Sequence, residues 1–400
     1  VILNMADYSP PPRGRNGQKA NGRAGAAARD RAADPSPNRP GGPGRPEPAW
    51  QQAQRGAPFQ RQAFAAIDLG TNNCRLLIAR PQAENFVVVD AFSRVVRLGE
   101  GLAQTGRLSE AAMDRALTAL QICADKLKRR NVHLARSVAT EACRRAANGA
   151  EFIARVREET GILLDIISAK EEARLAVMGC HLLLESGQGP AMVFDIGGGS
   201  TELVLVETRP DDAPLIHDWQ SVPWGVVSLT ESCEHEPDDP VGRAVRYERM
   251  KELVRDSLAP FAERALDWLE RAAPDEPLRL LGTSGTVTTL ASLHLELPQY
   301  DRSAVDGLIV QSEAMRALCE SLSRMTPTER RAQPCIGRER SDLVVAGCAI
   351  LEAILDLWPA HKLGVADRGI REGILRGLMA SGDAAERARA TLREMKRQAS

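Results

Sequence analysis

Two short stretches carry the residue types and spacing for phosphate chemistry: Ile67-Asp-Leu-Gly-Thr-Asn-Asn-Cys-Arg75 and Phe194-Asp-Ile-Gly-Gly-Gly-Ser-Thr-Glu202. Each is an apolar run that ends in Asp, followed by a tight turn of small residues and a second apolar run. At an offset of 127 residues, Asp68 meets Asp195, Gly70 meets Gly197, and Leu76-Leu-Ile meets Leu203-Val-Leu. Glycines without Cβ atoms let a turn press several N–H groups onto an anion. Thr71, Asn72 and Asn73 in the first turn, and Ser200 and Thr201 in the second, add side-chain donors. The pattern reads as a phosphate clamp in duplicate and points to an enzyme of phosphate chains or nucleotides.

The copies differ at one position: Arg75 stands where the second copy has Glu202. An arginine beside the first turn supplies a bidentate phosphate donor. A glutamate beside the second, with Asp195, supplies hard oxygen ligands for a divalent cation that bridges to phosphate. Hydrolysis also needs a group to orient and deprotonate water. Ser168-Ala-Lys-Glu-Glu-Ala-Arg174 places two carboxylates in the first turn of a helix, where glutamates also suit the helix dipole. Gly282-Thr-Ser-Gly-Thr286 reads as a strand-to-helix turn, either an anion site or a plain cap.

Other phosphate folds fail on context. No Gly-Lys-Ser/Thr leads into a helix as a P-loop requires, and Glu202–Glu207 continues as a strand where a dinucleotide fingerprint needs a helix. Six scattered histidines and eight cysteines without a Cys-x-x-Cys pair argue against structural zinc. The cysteines read as reduced, buried thiols of a cytoplasmic protein. The longest apolar run, Leu343–Leu351, is short of the ~20 residues a membrane span needs, and no apolar segment of secretory type opens the chain.

These motifs must be positioned by α/β elements. Strands are expected over Ala63–Ile67, Arg75–Arg80 and Phe86–Arg94, then a Ser109-capped helix carrying Ala112, Met113, Ala116, Leu117, Leu120 and Leu127. A short strand at Val138–Ala139, a helix ending at Gly161, a strand over Ile162–Ile167 and a helix over 170–184 complete the first half. The order then restarts: strands at Met192–Asp195, Glu202–Glu207 and Leu215–Val222, helices around 244–272, a strand at Leu278–Leu281, and helices through most of the chain to Leu357. A strand at Lys362–Ala366 and a final helix from about Arg371 follow. The repeat predicts two α/β domains of like topology, 63–188 and 189–400, with a cleft between them.

Residues 1–62 differ in kind. They hold ten Lys/Arg against four Asp/Glu and ten of the 24 prolines, so a formal net charge of −1 conceals a basic head on an acidic remainder. Such a segment reads as a disordered basic tail, able to touch polyanions but not built for nucleic-acid recognition.

The motif set resembles the exopolyphosphatase/guanosine-pentaphosphate phosphohydrolase (Ppx/GppA) family, from Ala63 to about Gly377. Beside the two turns, Arg97-Leu-Gly-Glu-Gly-Leu102, Ala139-Thr-Glu-Ala-Cys-Arg144 with Asn148, Ile167–Arg174, Gly282–Thr286, Glu339-Arg-Ser-Asp-Leu343 and Gly369-Ile-Arg-Glu-Gly-Ile-Leu375 are similar to further family blocks. The resemblance implies two ribonuclease H-like domains of the actin, sugar kinase and chaperone ATPase group. It implies a Mg²⁺-dependent hydrolase that removes terminal phosphate from inorganic polyphosphate or guanosine pentaphosphate, in a cytoplasmic homodimer with no membrane partner. By motif position the base falls on Glu172, with Glu171 the fallback. Asp195 and Glu202 fall on the metal-binding carboxylates. Asp68, Gly70, Thr71, Asn72, Arg75, Arg144, Gly197, Gly198, Gly199, Ser200 and Arg340 fall on the phosphate-binding set. Asn73 departs from the family's usual Ser or Thr, and the helical extension that lets long forms hold long chains is not expected here. A kinase or ATPase of the same fold, and a non-catalytic polyphosphate or alarmone sensor, are the rival readings; the intact carboxylates weigh against the sensor.

Overall fold

The structure, a computed structural model, describes residues 62–382 apart from short breaks at 83–84, 186, 188, 209–213, 234–236, 273–276 and 338–339. The expected basic tail therefore lies outside the described residues, except Gln62.

Two sheets carry the repeat. The first has the order β3-β2-β1-β4-β5, built from β1 (Ala63–Leu69), β2 (Asn73–Gln82), β3 (Asn85–Val95), β4 (Val132–Ala139) and β5 (Leu164–Ile166). The second has the order β10-β11-β9-β6-β7-β8, from β6 (Gly189–Ile196), β7 (Thr201–Thr208), β8 (Leu215–Val222), β9 (Arg279–Thr283), β10 (Ile309–Gln311) and β11 (Lys362–Ala366). Removing β10 leaves matching orders, with β6 in the place of β1. Both central strands pair antiparallel with the next strand and parallel with a later one, β1 with β4 and β6 with β9. Their apolar runs are buried along nearly the whole length, as strands covered on both faces must be. Each carries its Asp one residue before its end, at the carboxyl edge where α/β sheets hold ligands.

The main differences from expectation have local causes. Strand β4 begins at Val132 because parallel pairing with β1 carries it through His133 and Arg136, polar residues that conceal a strand from an apolar reading. Strand β10 was hidden among helices: three residues form it only by pairing with β11, Ile309 opposite Gly364. The Glu110–Arg129 helix has Ser109 as its cap, accepting from the Ala112 N–H at 3.3 Å. All eight cysteines are free, seven of them buried. Among the described residues no helix is long and apolar enough to cross a membrane.

Two helices tie the sheets together. The Ala169–Cys180 helix puts Leu175 and Ala176 into a core with Phe64, Ala66 and Val138 of the first sheet, and Ala173, Val177 and Cys180 against Val193 and Val204 of the second. The helix over 370–382, grouped with the second half on sequence order, instead packs Ile370, Ile374 and Leu375 into that first-sheet core. Its apolar face fits the bare side of β1 and β2, and each fully buried Ile or Leu stabilises that docking by about 2 kcal/mol. The two helices meet backbone to backbone: a Cβ on Gly179 would lie 1.9 Å from the Gly369 carbonyl oxygen, and one on Gly373 would lie 2.1 Å from that of Leu175.

Gly179→Ala should therefore cost about 3 kcal/mol or more through overpacking. Gly377→Ala, where a Cβ meets nothing within 4 Å, should stabilise by about 0.5–1 kcal/mol through helix propensity. Thermal denaturation of both variants checks the opposite signs.

Candidate active site

Sheet register makes the first chemical distinction. Asp68 lies directly opposite Arg75 across β1 and β2, and Asp195 lies directly opposite Glu202 across β6 and β7. Opposite residues in an antiparallel pair share a face. The first lobe thus presents a carboxylate beside a guanidinium, and the second presents two carboxylates side by side.

The turns between these strands face each other across one cleft. It is lined by Asp68, Gly70, Thr71, Asn72 and Arg75 from the first copy and by Asp195, Gly197, Gly198, Gly199, Ser200 and Glu202 from the second. Glu172 and Arg340 join them. The glycine run also serves protein packing. A Cβ on Gly198 would come 3.1 Å from the Asn72 nitrogen, and one on Gly199 would come 2.6 Å from the Thr71 hydroxyl. On the far side Gly225 abuts Gly198, where a Cβ would approach to 2.4 Å. The turns can close on one another only without side chains at these points.

Glu172 and Glu171 part company because successive helical residues point about 100° apart. Glu171 turns outward to Arg136 at 3.0 Å and Arg174 at 2.7 Å. The hydrogen bond from Arg174 and then that from Arg136 outweigh its partial burial and hold its carboxyl below the usual range. Glu172 is buried at the cleft wall. Burial and then the neighbouring Glu202 push its pKa well above the usual glutamate range, against the pull of Arg144.

Arg144, expected on the phosphate chain, is not among the cleft-lining residues. Its Nη1 donates to Glu172 Oε2 at 3.0 Å and to the Ile167 carbonyl at 2.8 Å, and its Nη2 donates to Glu141. The structure makes it a clamp on Glu172. Arg340 stands in the cleft with Nη1 3.2 Å from the Thr289 hydroxyl.

Burial, with Asp195 next, drives the Glu202 pKa up to about 7. Two hydroxyls resist this: Ser200 Oγ donates to Glu202 Oε1 at 2.6 Å and Ser221 Oγ at 2.8 Å. Burial also raises Asp195, whose Oδ1 accepts from Ser284 Oγ, and Asp68, whose neighbours Arg75 and Arg371 oppose the shift. Among the described residues no three His, Cys, Asp or Glu side chains group as a metal cage. A Mg²⁺ ion needs none, since it binds through one or two carboxylates with water and phosphate oxygens. The adjacent Asp195 and Glu202 fit that donor set.

Several cleft residues escaped the sequence reading. Ser284, at the β9-to-helix turn, holds Asp195 from a backbone at φ 79°, a conformation costing on the order of 1–3 kcal/mol and common at functional sites. Its turn was visible, but its strain and its partner were not. Arg371 also lines the cleft; only its place in the Gly369–Leu375 block marked it. Glu141, Asp367 and Arg368 are further lining residues.

Two α/β lobes of like topology, joined by crossed helices around paired phosphate turns and a carboxylate cluster, define a phosphate-handling protein of the actin-like ATPase fold. The solved structure of an Aquifex aeolicus Ppx/GppA family member superposes with a TM-score of 0.65 at 26% identity, covering 80% of this chain and 98% of that one. An exopolyphosphatase structure from Cytophaga hutchinsonii gives a TM-score of 0.69 at 25% identity over the same shares of the two chains. The chain belongs to the Ppx/GppA phosphatase family, whose model matches residues 77–381. Exopolyphosphatase 2 of Mycobacterium tuberculosis is 34% identical in an alignment 324 residues long that covers 78% of this chain and 96% of that protein. A guanosine-5'-triphosphate,3'-diphosphate pyrophosphatase of Aeromonas hydrophila is 30% identical over 318 residues, 79% of this chain and 59% of that protein.

The raised Glu202 pKa fixes the sign of a stability effect. The folded state binds the proton more tightly than the unfolded chain, so stability falls as pH rises from about 4.5 through about 7. Glu202→Gln should raise the melting temperature at pH 8 by several degrees, each kcal/mol being worth about 2–4 °C. The gain should vanish near pH 4.5. A flat difference across that range would contradict the buried-charge account.

Proposed function

We propose that this protein is an exopolyphosphatase, a phosphoanhydride hydrolase that releases terminal orthophosphate from inorganic polyphosphate. The observation that carries this is Glu172, a buried carboxylate of raised pKa held by Arg144 at the wall of a cleft lined by two phosphate turns. The family membership and the exopolyphosphatase names among the relatives support the substrate class.

The chain's own groups divide the work. The turn at Gly70–Asn72 offers backbone donors and the Thr71 hydroxyl, and the Gly197–Ser200 turn offers backbone donors, to non-bridging oxygens of the terminal phosphate. Arg75 holds charge on the chain from the first lobe. Glu172 accepts a hydrogen bond from a water placed in line with the phosphoanhydride bond. As the oxygen attacks phosphorus, the water proton passes to the Glu172 carboxylate. The P–O bond to the shortened chain breaks, and its departing oxygen leaves with the bonding pair. Arg144 keeps Glu172 Oε2 fixed while the proton arrives at the carboxylate. Asp195 and Glu202 would hold Mg²⁺, which when bound neutralises phosphate charge and makes phosphorus more electrophilic. A carboxylate whose pKa is raised by burial has a higher proton affinity, and so is a stronger base in water activation, than an ordinary glutamate.

A kinase would need an acceptor site, and nothing among the described cleft residues singles one out. Guanosine pentaphosphate hydrolysis uses the same machinery on a different leaving group, so the substrate comparison separates the two. The family resemblance further leads us to expect a cytoplasmic homodimer, which light scattering on the purified protein would test for assembly.

Phosphate release should be Mg²⁺-dependent and faster from long polyphosphate and tripolyphosphate than from guanosine pentaphosphate. Glu172→Gln should lower kcat by about 10²–10⁴-fold with a small change in KM. Undiminished turnover in that variant would remove Glu172 from the role of base. Faster release from guanosine pentaphosphate would reverse the substrate order.

A further inference from the structure

The arginines around the cleft are not equivalent. Arg144 is engaged by Glu172 and Glu141, and Arg368 donates to Asp306 Oδ2 at 2.7 Å. Arg340 donates to Thr289. Arg75 and Arg371 are the cleft-lining guanidiniums that make no hydrogen bond or ion pair with the described residues. Both are partly buried. Asp68 lies within electrostatic reach of both, and Glu372 of Arg371, yet neither carboxylate accepts a hydrogen bond from them, so their forked donors stay available to an anion in the cleft. Arg75 already has a place in the phosphate-binding set; Arg371 has none.

Its position is rigidly imposed. Glu372, its neighbour on the helix, is buried, and accepts from Arg302 Nη2 at 3.0 Å and from the Gly369 N–H at 3.0 Å. Arg302 also donates to the Asp367 carbonyl at 2.6 Å, and Asp306 accepts from the Asp367 N–H at 3.0 Å. The Thr283 hydroxyl, one residue before Ser284 at the second phosphate-side turn, donates to the Arg368 carbonyl at 2.5 Å. Ile370 and Ile374 meanwhile sit in the first-sheet core. With Glu372 locked inward, Arg371 lies about 100° around the helix, on the cleft side. It lines the same cleft as Asp68 and Arg75, close enough to Asp68 to oppose, with Arg75, the upward shift that burial imposes on that carboxyl.

We propose that Arg371 is a substrate-binding residue, donating hydrogen bonds to non-bridging oxygens of the phosphate chain beside those held by Arg75. The assignment rests on the reading of the cleft as a polyphosphate site. It gives the crossed helices a part in recognition: the 367–372 turn, anchored to both lobes, brings a fixed guanidinium to the anion.

Binding of tripolyphosphate should be measured by calorimetry in the Glu172→Gln background, with KM and kcat for tripolyphosphate in the otherwise unaltered protein. Arg371→Ala and Arg371→Gln should each weaken binding and raise KM about 10- to 100-fold, the effect of losing a hydrogen bond to a charged partner. Arg371→Lys should recover part of the affinity as a point charge without the planar fork. Added methylguanidinium should restore binding to Arg371→Ala, which a merely structural role would not allow. Circular dichroism and melting temperature identify a misfolded variant, and the Gln variant then carries the comparison. If the parent binds tripolyphosphate and the folded Ala or Gln variant binds it equally well, the assignment of Arg371 is overturned while the polyphosphate reading stands. If the parent neither binds nor hydrolyses tripolyphosphate, the polyphosphate reading falls and this assignment falls with it.

Discussion

The juxtaposition of Asp195 and Glu202 is the constraint around which the rest of the site is arranged. Register across β6 and β7 sets two carboxylates directly opposite each other in a buried position. Like charges at such a pair repel, and removing them from water adds to the cost. The surrounding structure meets that cost only in part, through hydroxyls of Ser200 and Ser221 on Glu202 and of Ser284 on Asp195. What remains is a local excess of negative charge suited to a divalent cation. The equivalent pair in the first lobe, Asp68 and Arg75, is nearly neutral by comparison. One residue difference between two copies of a motif therefore sets a guanidinium beside the carboxylate in one lobe and a second carboxylate beside it in the other.

Glu172 depends on that same field. It lies on the helix connecting the lobes, close enough to Glu202 for that carboxylate to raise its proton affinity. Arg144 opposes that rise, so a single guanidinium both orients the carboxylate and moderates its basicity. Active sites commonly separate acid and base roles by such unequal environments. Glu171, one residue away and fully paired on the outer face, shows what a glutamate of the same helix becomes without that environment.

Much of the scaffold could be read in advance because its signals are local. Apolar runs ending in Asp, the Ser109 cap, the Gly161 stop and the duplicated turns each follow from nearest-neighbour chemistry, and all stand where expected. Elements created by pairing were harder to see. Strand β10 exists because β11 has a free edge, and most of β4 exists because β1 is beside it. The helix over 370–382 follows the second sheet in sequence yet packs on the first. Sequence order carries no information about which of two apolar surfaces such a helix will choose.

By itself the sequence determined the duplication, the strand-ending carboxylates and the arginine-for-glutamate mismatch, since residue type and spacing are sufficient for all three. Its family motifs also selected the cleft residues, nearly all of which converge on one site. Only the tertiary structure decided which arginine does what. Arg144 turns to Glu172 rather than to the cleft, whereas Arg371 reaches the cleft because Glu372 is locked the other way. Both outcomes depend on partners from distant parts of the chain, and a guanidinium's role is set by the oxygens that surround it in space. The glycine triplet makes the same point. Its need for small residues was visible as a turn for anions, while its contacts with Thr71, Asn72 and Gly225 emerged only once the two lobes were folded against each other.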